Sequence, residues 1–157
     1  MEPGDLPFDF RRSIDLRLDA EGRWFHEGEP FVHAGLIAAF NRGIDVLPDT
    51  GEPILRVGTH WCYIRCDDTP FVVRSVRVEG ACLSLTLNTE AVATCAPDAL
   101  RVNDAGLLYV ELGPHRRARF GRAAQAALAD LLVPDEAAPT GVAVVIGASR
   151  TPLTALT

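Results

Sequence analysis

The chain has 157 residues, a length that fits one domain or two small ones sharing a core. Hydrophobic residues make up 48% and charged residues 23%, so an ordinary apolar core can form without staples. The net charge of −6 argues against wholesale coating of nucleic acid or an anionic membrane.

No apolar run is long enough to span a bilayer. The opening Met1-Glu2-Pro3-Gly4-Asp5 lacks the basic and apolar regions of a signal peptide. The sequence therefore predicts a cytoplasmic protein with reduced cysteines. All fifteen cationic residues are Arg. That fits a coding bias, or a use of planar guanidinium forks for carboxylate or phosphate.

Residues 1–12 read as a tail whose Phe8 and Phe10 tuck onto the body. Ile14, Leu16 and Leu18 alternate with polar residues as in a half-buried strand. Asp19-Ala20-Glu21-Gly22 is a hairpin turn, and Arg23 to Glu27 the return strand, with Trp24 and His26 on one face. A helix over 33–41 carries Leu36, Ile37 and Phe40 on one side, and Asn41-Arg42-Gly43 reads as its stop. A loop over 47–53 leads to one strand or a strand pair over 54–65, rich in Trp, Tyr and Ile.

Asp67-Asp68-Thr69-Pro70 is a break, and the two halves are placed at 13–69 and 70–157. Residues 71–79 and 83–87 make a hairpin turned at Gly80-Ala81. Shorter strands follow at 91–94, 100–102 and 107–112. Phe120, Ala124, Ala127, Leu128 and Leu131 share a helical face, which predicts the main helix over 119–132, stopped by Pro134. Gly141 to Gly147 brackets a buried strand, and 149–157 reads as a polar tail with a short edge strand near Leu153. The order predicts an α+β protein with mostly antiparallel sheet, one helix per half and a duplicated arrangement of elements.

Candidate chemistry is sparse. Cys62, Cys66, Cys82 and Cys95 lack zinc-ribbon spacing and read as inert thiols. No His spacing fits a metal motif, and no metal or cofactor is expected. His26 beside Trp24 reads either as a stacking or hydrogen-bonding pocket or as an amphipathic strand face. Asp68 reads as a turn cap or as a site residue at the junction of the halves. An enzyme built on Asp68 and His26 is a weaker reading, and it needs both side chains at one pocket. Arg116, Arg117, Arg119 and Arg122 cluster at the start of the predicted main helix, where the helix dipole disfavours cations. They read either as pairing with acidic neighbours or as an anion site.

Several stretches together resemble a bacterial family known as domain of unknown function 1285. They are 14–18, the Gly-Arg-Trp-Phe-His-Glu-Gly-Glu-Pro run at 22–30, the 36–40 helix, Asp68-Thr69-Pro70-Phe71-Val72, Leu85-Thr86-Leu87-Asn88-Thr89 and Leu100-Arg101-Val102. Tyr109-Val110 and Arg122-Ala123 also fit. The resemblance implies two small domains with repeated motifs, a C-terminal domain like a pleckstrin-homology barrel, and an interdomain cleft with a nucleotide-like ligand and a signalling role. Carried over, the cleft would draw on Trp24, Asp68, Asn88, Arg101 and Arg122. The chain departs from the family pattern at 57–61, 113–116 and 146–150, which bears on whether the ligand is shared.

The expectation is thus a non-enzymatic binding module for a small anionic ligand, with Trp24, His26, Asp68, Asn88, Arg101, Arg116 and Arg122 as binding residues. The alternative is a protein-interaction module with no small-molecule ligand, expected to expose an apolar patch.

Overall fold

A computed structural model describes residues 10–157, apart from the side chain of Phe10. Phe8 and the Phe10 side chain, expected to tuck onto the body, lie outside the described residues. The chain divides into two compact units, one ending at Pro70 and one running Phe71–Thr157. Its described residues are α+β, with two α-helices among short, mostly antiparallel strands.

In the first unit, β1 (Leu16–Leu18) pairs antiparallel with β2 (Trp24–His26), and β2 with β3 (Glu29–Pro30). Asp19 builds the intervening turn. Its carboxylate accepts the backbone N–H groups of Glu21 and Arg23 and the Arg23 Nε–H, at 3.0, 2.8 and 2.8 Å. Gly22 supplies the left-handed conformation, at φ +83°. Helix α1 (Ala34–Gly43) follows, its first turn capped by His33, whose Nδ1 accepts the Leu36 N–H.

The helix ends at Gly43, within the expected Asn41-Arg42-Gly43 stop, with no loop after it. It leads directly into β4 (Ile44–Val46), which forms a three-stranded meander with β5 (Pro53–Val57) and β6 (His60–Tyr63). A Cβ on Gly43 would lie 2.1 Å from the Arg56 carbonyl oxygen, so glycine here permits close approach of α1 and β5. The two-residue β7 (Arg65–Cys66) then returns parallel to β1. The ion pairs Arg17–Asp67 and Arg65–Asp15 clasp this end of the sheet.

The second unit follows the same order on a larger scale. A seven-stranded sheet runs β10 (Val92–Cys95), β9 (Cys82–Leu87), β8 (Phe71–Glu79), β13 (Arg117–Phe120), β12 (Leu108–Glu111), β11 (Leu100–Val102) and β17 (Thr154–Ala155). The sheet is open, with β10 and β17 as its edges. Helix α2 (Arg122–Ala129) leads to a meander of β14 (Leu132–Pro134), β15 (Val142–Ile146) and β16 (Ser149–Pro152), and β17 returns parallel to β11. Helix, three-stranded meander and short parallel return thus occur once in each unit.

The helix expected over 119–132 is eight residues long. Arg117-Ala118-Arg119-Phe120 alternates half-buried and buried, and pairs with β12 on one side and β8 on the other. Ladder bonds on both sides of β13 override the helical spacing that begins at Phe120. At the other end, Leu132–Pro134 leaves the helix to pair with β15. The expected basic cluster is therefore not at a helix start: only Arg122 stands there, while Arg117 and Arg119 are strand residues and Arg116 precedes the strand. Residues 149–157 are likewise more than a polar tail, since they supply two strands and a fully buried Leu153.

Residues 10–12 form a single 3-10 turn rather than a tail. The Arg11 and Arg12 guanidinium groups lie over the Trp61 and Tyr63 rings, 4.0 and 3.7 Å from the ring centroids. Among the described residues no helix is long and apolar enough to cross a membrane.

Candidate functional site

The apolar face of α1 carries Leu36, Ile37 and Phe40, yet α1 has no fully buried residue. In α2 the equivalent face is closed, with Ala124 and Leu128 fully buried. The difference lies in what each helix faces. Leu36 and Phe40 line a cavity of about 770 Å³ within the first unit.

The floor of this cavity is formed by the buried Leu16, Leu55 and Cys62. Its walls are aromatic, from Phe31, Phe40 and Trp61. At its exposed rim stand His26 and His60, with Leu36 at 42% exposure and Val57 at 51%. Arg11, half-buried, completes the wall against Trp61. Among the described residues none that lines the cavity is acidic, although the whole chain carries −6.

The hairpin and helix residues that build this wall form a chain of rings. Trp24 meets Phe40 edge-on at 5.4 Å, Phe40 meets Phe31 at 5.3 Å, and Phe31 meets His26 at 6.3 Å. Such pairs add about 0.5–1.5 kcal/mol each beyond burial. Trp24, 2% exposed, stands behind the wall and donates its indole N–H to Asn41 Oδ1 at 2.8 Å. His26 is on the rim.

The other sequence-predicted residues lie elsewhere. Asp68 is exposed beside β7 and is not on the cavity wall. Asn88 is buried in the second unit, where its Oδ1 accepts the Val72 N–H at 2.9 Å and its own N–H donates to the Val72 carbonyl at 2.8 Å. Arg101 donates Nη1 to the carbonyls of Asp98 and Leu100, at 2.7 and 2.9 Å. Arg116 stacks over Phe71 at 4.5 Å, and Arg122 is exposed at the first turn of α2. Of the pair invoked for catalysis, His26 is at the cavity and Asp68 is not.

The thiols carry their own electrostatics. Burial pushes the Cys66 thiol up to about 12, helped by the Asp67 and Asp68 charges. Burial, with Cys82 and Asp98 nearby, pushes Cys95 up to about 11, and burial also raises Cys62. Such thiols are poor nucleophiles at neutral pH. All four are free, and no cluster of His, Cys, Asp and Glu among the described residues is arranged to hold a metal.

Arg11, His60 and Trp61 escaped the sequence reading. Arg11 was placed in a tail, and His60 and Trp61 in a segment with no clear turn. The Gly58-Thr59 pair between two apolar runs was the signal for the β5–β6 hairpin that brings them to the cavity.

No protein-family model matches the sequence, and no match was found among curated proteins. Two crystal structures do match in fold. One is of a DUF1285 family protein from Silicibacter pomeroyi DSS-3, 24% identical, with a TM-score of 0.66 over 90% of this chain and 80% of that one. The other is of a DUF1285 family protein from Shewanella baltica OS155, 16% identical, with a TM-score of 0.56 over 75% of this chain and 92% of that one. The chain has a DUF1285-like fold.

Proposed function

We propose that this protein is a non-enzymatic binding module for a small anionic ligand, held in the cavity of the first unit. The observation that carries the reading is the contrast between the two helices. Helix α2 buries Ala124 and Leu128, whereas α1 has no buried residue and its apolar face borders about 770 Å³. Cavities of about 300–1,000 Å³ with mostly apolar walls and a few polar groups are the usual form of small-molecule sites. Arg11, His26 and His60, with no acidic residue among the described residues of the wall, favour an anion. A signalling role, as the family resemblance implies, would be that of a ligand sensor.

The test is thermal melting against a panel of organic acids, nucleotides and sugar phosphates, in the natural protein and in Leu36→Glu. Leu36 is at the rim, so the substitution changes the cavity mouth with little effect on folding. A ligand at about a hundred times its Kd stabilises by roughly 2.7 kcal/mol, readily seen as a melting shift. A shift lost in Leu36→Glu supports the reading. A shift retained in Leu36→Glu places binding elsewhere and removes it.

The second reading is a protein-interaction module built on the second unit, read through the family resemblance as pleckstrin-homology-like. What favours it is the open edge at β10, where Val92 is 67% exposed. An extended peptide could add there as a further strand. Chemical-shift changes confined to β9 and β10 on adding a partner peptide would support it. Their absence with a partner that binds elsewhere would not.

A further inference from the structure

Resting on the second reading, in which the β10 edge takes up an extended strand, we infer that this strand is β10 of a second copy of the chain, paired antiparallel about a two-fold axis at Ala93.

The sheet edges differ in how they are protected. Backbone N–H and C=O groups along an edge invite another chain, and edges are ordinarily blunted by charge, proline or shortness. Among the described residues, β3 carries Glu29 and Pro30, while β14 ends in Pro134 and β16 in Pro152. Strands β7 and β17 are two residues long, and β4 carries Asp45. Along β6, Arg11 and Arg12 lie over the Trp61 and Tyr63 rings. Strand β10 has none of these devices. It pairs with β9 in unbroken register, and no residue from Ala91 to Pro97 is charged.

The phase of the ladder sets the register. The Leu87 N–H donates to the Ala91 carbonyl at 2.9 Å, and antiparallel bonding alternates along a strand. Ala91, Ala93 and Cys95 therefore turn their backbone groups toward β9, while Val92 and Thr94 turn theirs away from it. Both side chains are exposed, Val92 at 67%. In a pair centred on Ala93, Val92 of each copy exchanges both backbone bonds with Thr94 of the other. Ala93 then faces Ala93 of the second copy as a non-hydrogen-bonded pair, where Cα atoms come within about 4.5 Å and small side chains fit. On the opposite face Val92 and Thr94 form β-branched cross-strand pairs. The same register sets Glu90 opposite Ala96 and Asp98 opposite Asn88, so no like charges meet. The strand is its own complement, as an isologous interface requires. A strand of four residues buries less than the roughly 1,000 Å² of a stable interface, so the dimer is expected to dissociate on dilution.

The experiment is sedimentation equilibrium of the full chain over a wide concentration range. It compares the natural protein with Val92→Lys/Thr94→Lys and Val92→Lys/Thr94→Glu, each first checked for its melting curve. The first double variant sets like charges opposite each other in both cross-strand pairs, and the second sets opposite charges. The natural protein is expected to dimerise reversibly. The like-charge variant is expected to weaken the dimer about tenfold or more, and the opposite-charge variant to restore it, most fully at low salt. Dimerisation that the like-charge variant leaves unchanged overturns the β10 interface, and equal weakening in both variants overturns the register centred on Ala93. A blocked peptide of alternating Thr and Val, followed by chemical shifts, separates this inference from the reading beneath it. If the natural protein stays monomeric while the peptide shifts β10, the edge reading stands and the second copy falls. If the protein stays monomeric and the peptide shifts nothing, both fall.

Discussion

Trp24 of β2 donates its indole N–H to the Oδ1 of Asn41 near the end of α1, at 2.8 Å, and this bond ties the hairpin to the helix that walls the cavity. Replacing Asn41 by Leu leaves the buried indole N–H without an acceptor. A loss of about 1–3 kcal/mol in chemical denaturation is expected. In Trp24→Phe the donor is gone, so adding Asn41→Leu should cost less than it does in the natural protein. A double-mutant cycle with no coupling would show that the bond contributes nothing.

Gly43→Ala sets two effects against each other. Alanine gains about 1 kcal/mol of helix propensity over glycine. The new Cβ, however, would lie 2.1 Å from the Arg56 carbonyl oxygen, so α1 and β5 must separate. Overpacking of this kind costs about 1–3 kcal/mol. The clash wins, and the melting temperature is expected to fall; a rise would mean that β5 yields freely.

Asp19 gives the acid limb of stability. Burial pushes its carboxyl up, but the backbone and side-chain hydrogen bonds and charge of Arg23, with the Glu21 N–H, outweigh burial and hold it below the ordinary carboxylate value. A depressed folded pKa stabilises the protein above the unfolded value of about 3.9, and that stability is lost as pH falls through the folded pKa. Asp19→Asn is therefore expected to lower stability at pH 7 and to flatten its decline below about pH 4. Parallel curves for the two proteins from pH 7 to pH 2 would contradict this.

The thiols act on the alkaline side. Cys66 near 12 and Cys95 near 11 favour the protonated form in the folded state. Their contribution is complete below the unfolded thiol value of about 8.5 and is lost as pH rises toward the folded values. At pH 8 both are expected to alkylate many times more slowly in the folded protein than in denaturant. Equal rates would show that neither thiol is shielded.

Much of the strand framework was legible because period-two alternation survives wherever one face is buried. Leu16-Arg17-Leu18 carries that pattern plainly, while 71–79 and 100–102 are strands with the expected bounds although Phe71, Val72 and Val73 are buried in succession. Phe120 was misread because it fits two patterns at once, closing the Arg-Ala-Arg-Phe alternation and opening the Ala124–Leu128 helical face. Only pairing with β8 and β12, distant in sequence, decides between them. The α1 face was legible as apolar, but its partner was not. A helix stripe looks the same in sequence whether it meets side chains or a cavity. Arg11, in turn, is brought to Trp61 by tertiary packing that no local period encodes.

The most direct measurement uses the fact that the chain has two Trp residues, of which Trp61 lines the cavity and Trp24 does not. In Trp24→Phe all indole emission reports Trp61. Titrating the anion that raises the melting temperature most in the panel into this variant is expected to shift that emission saturably, with the same Kd as calorimetry, and the change is expected to disappear when Leu36→Glu is added. Emission that stays constant while calorimetry shows the anion binding would place the ligand away from Trp61 and contradict the cavity as the binding site.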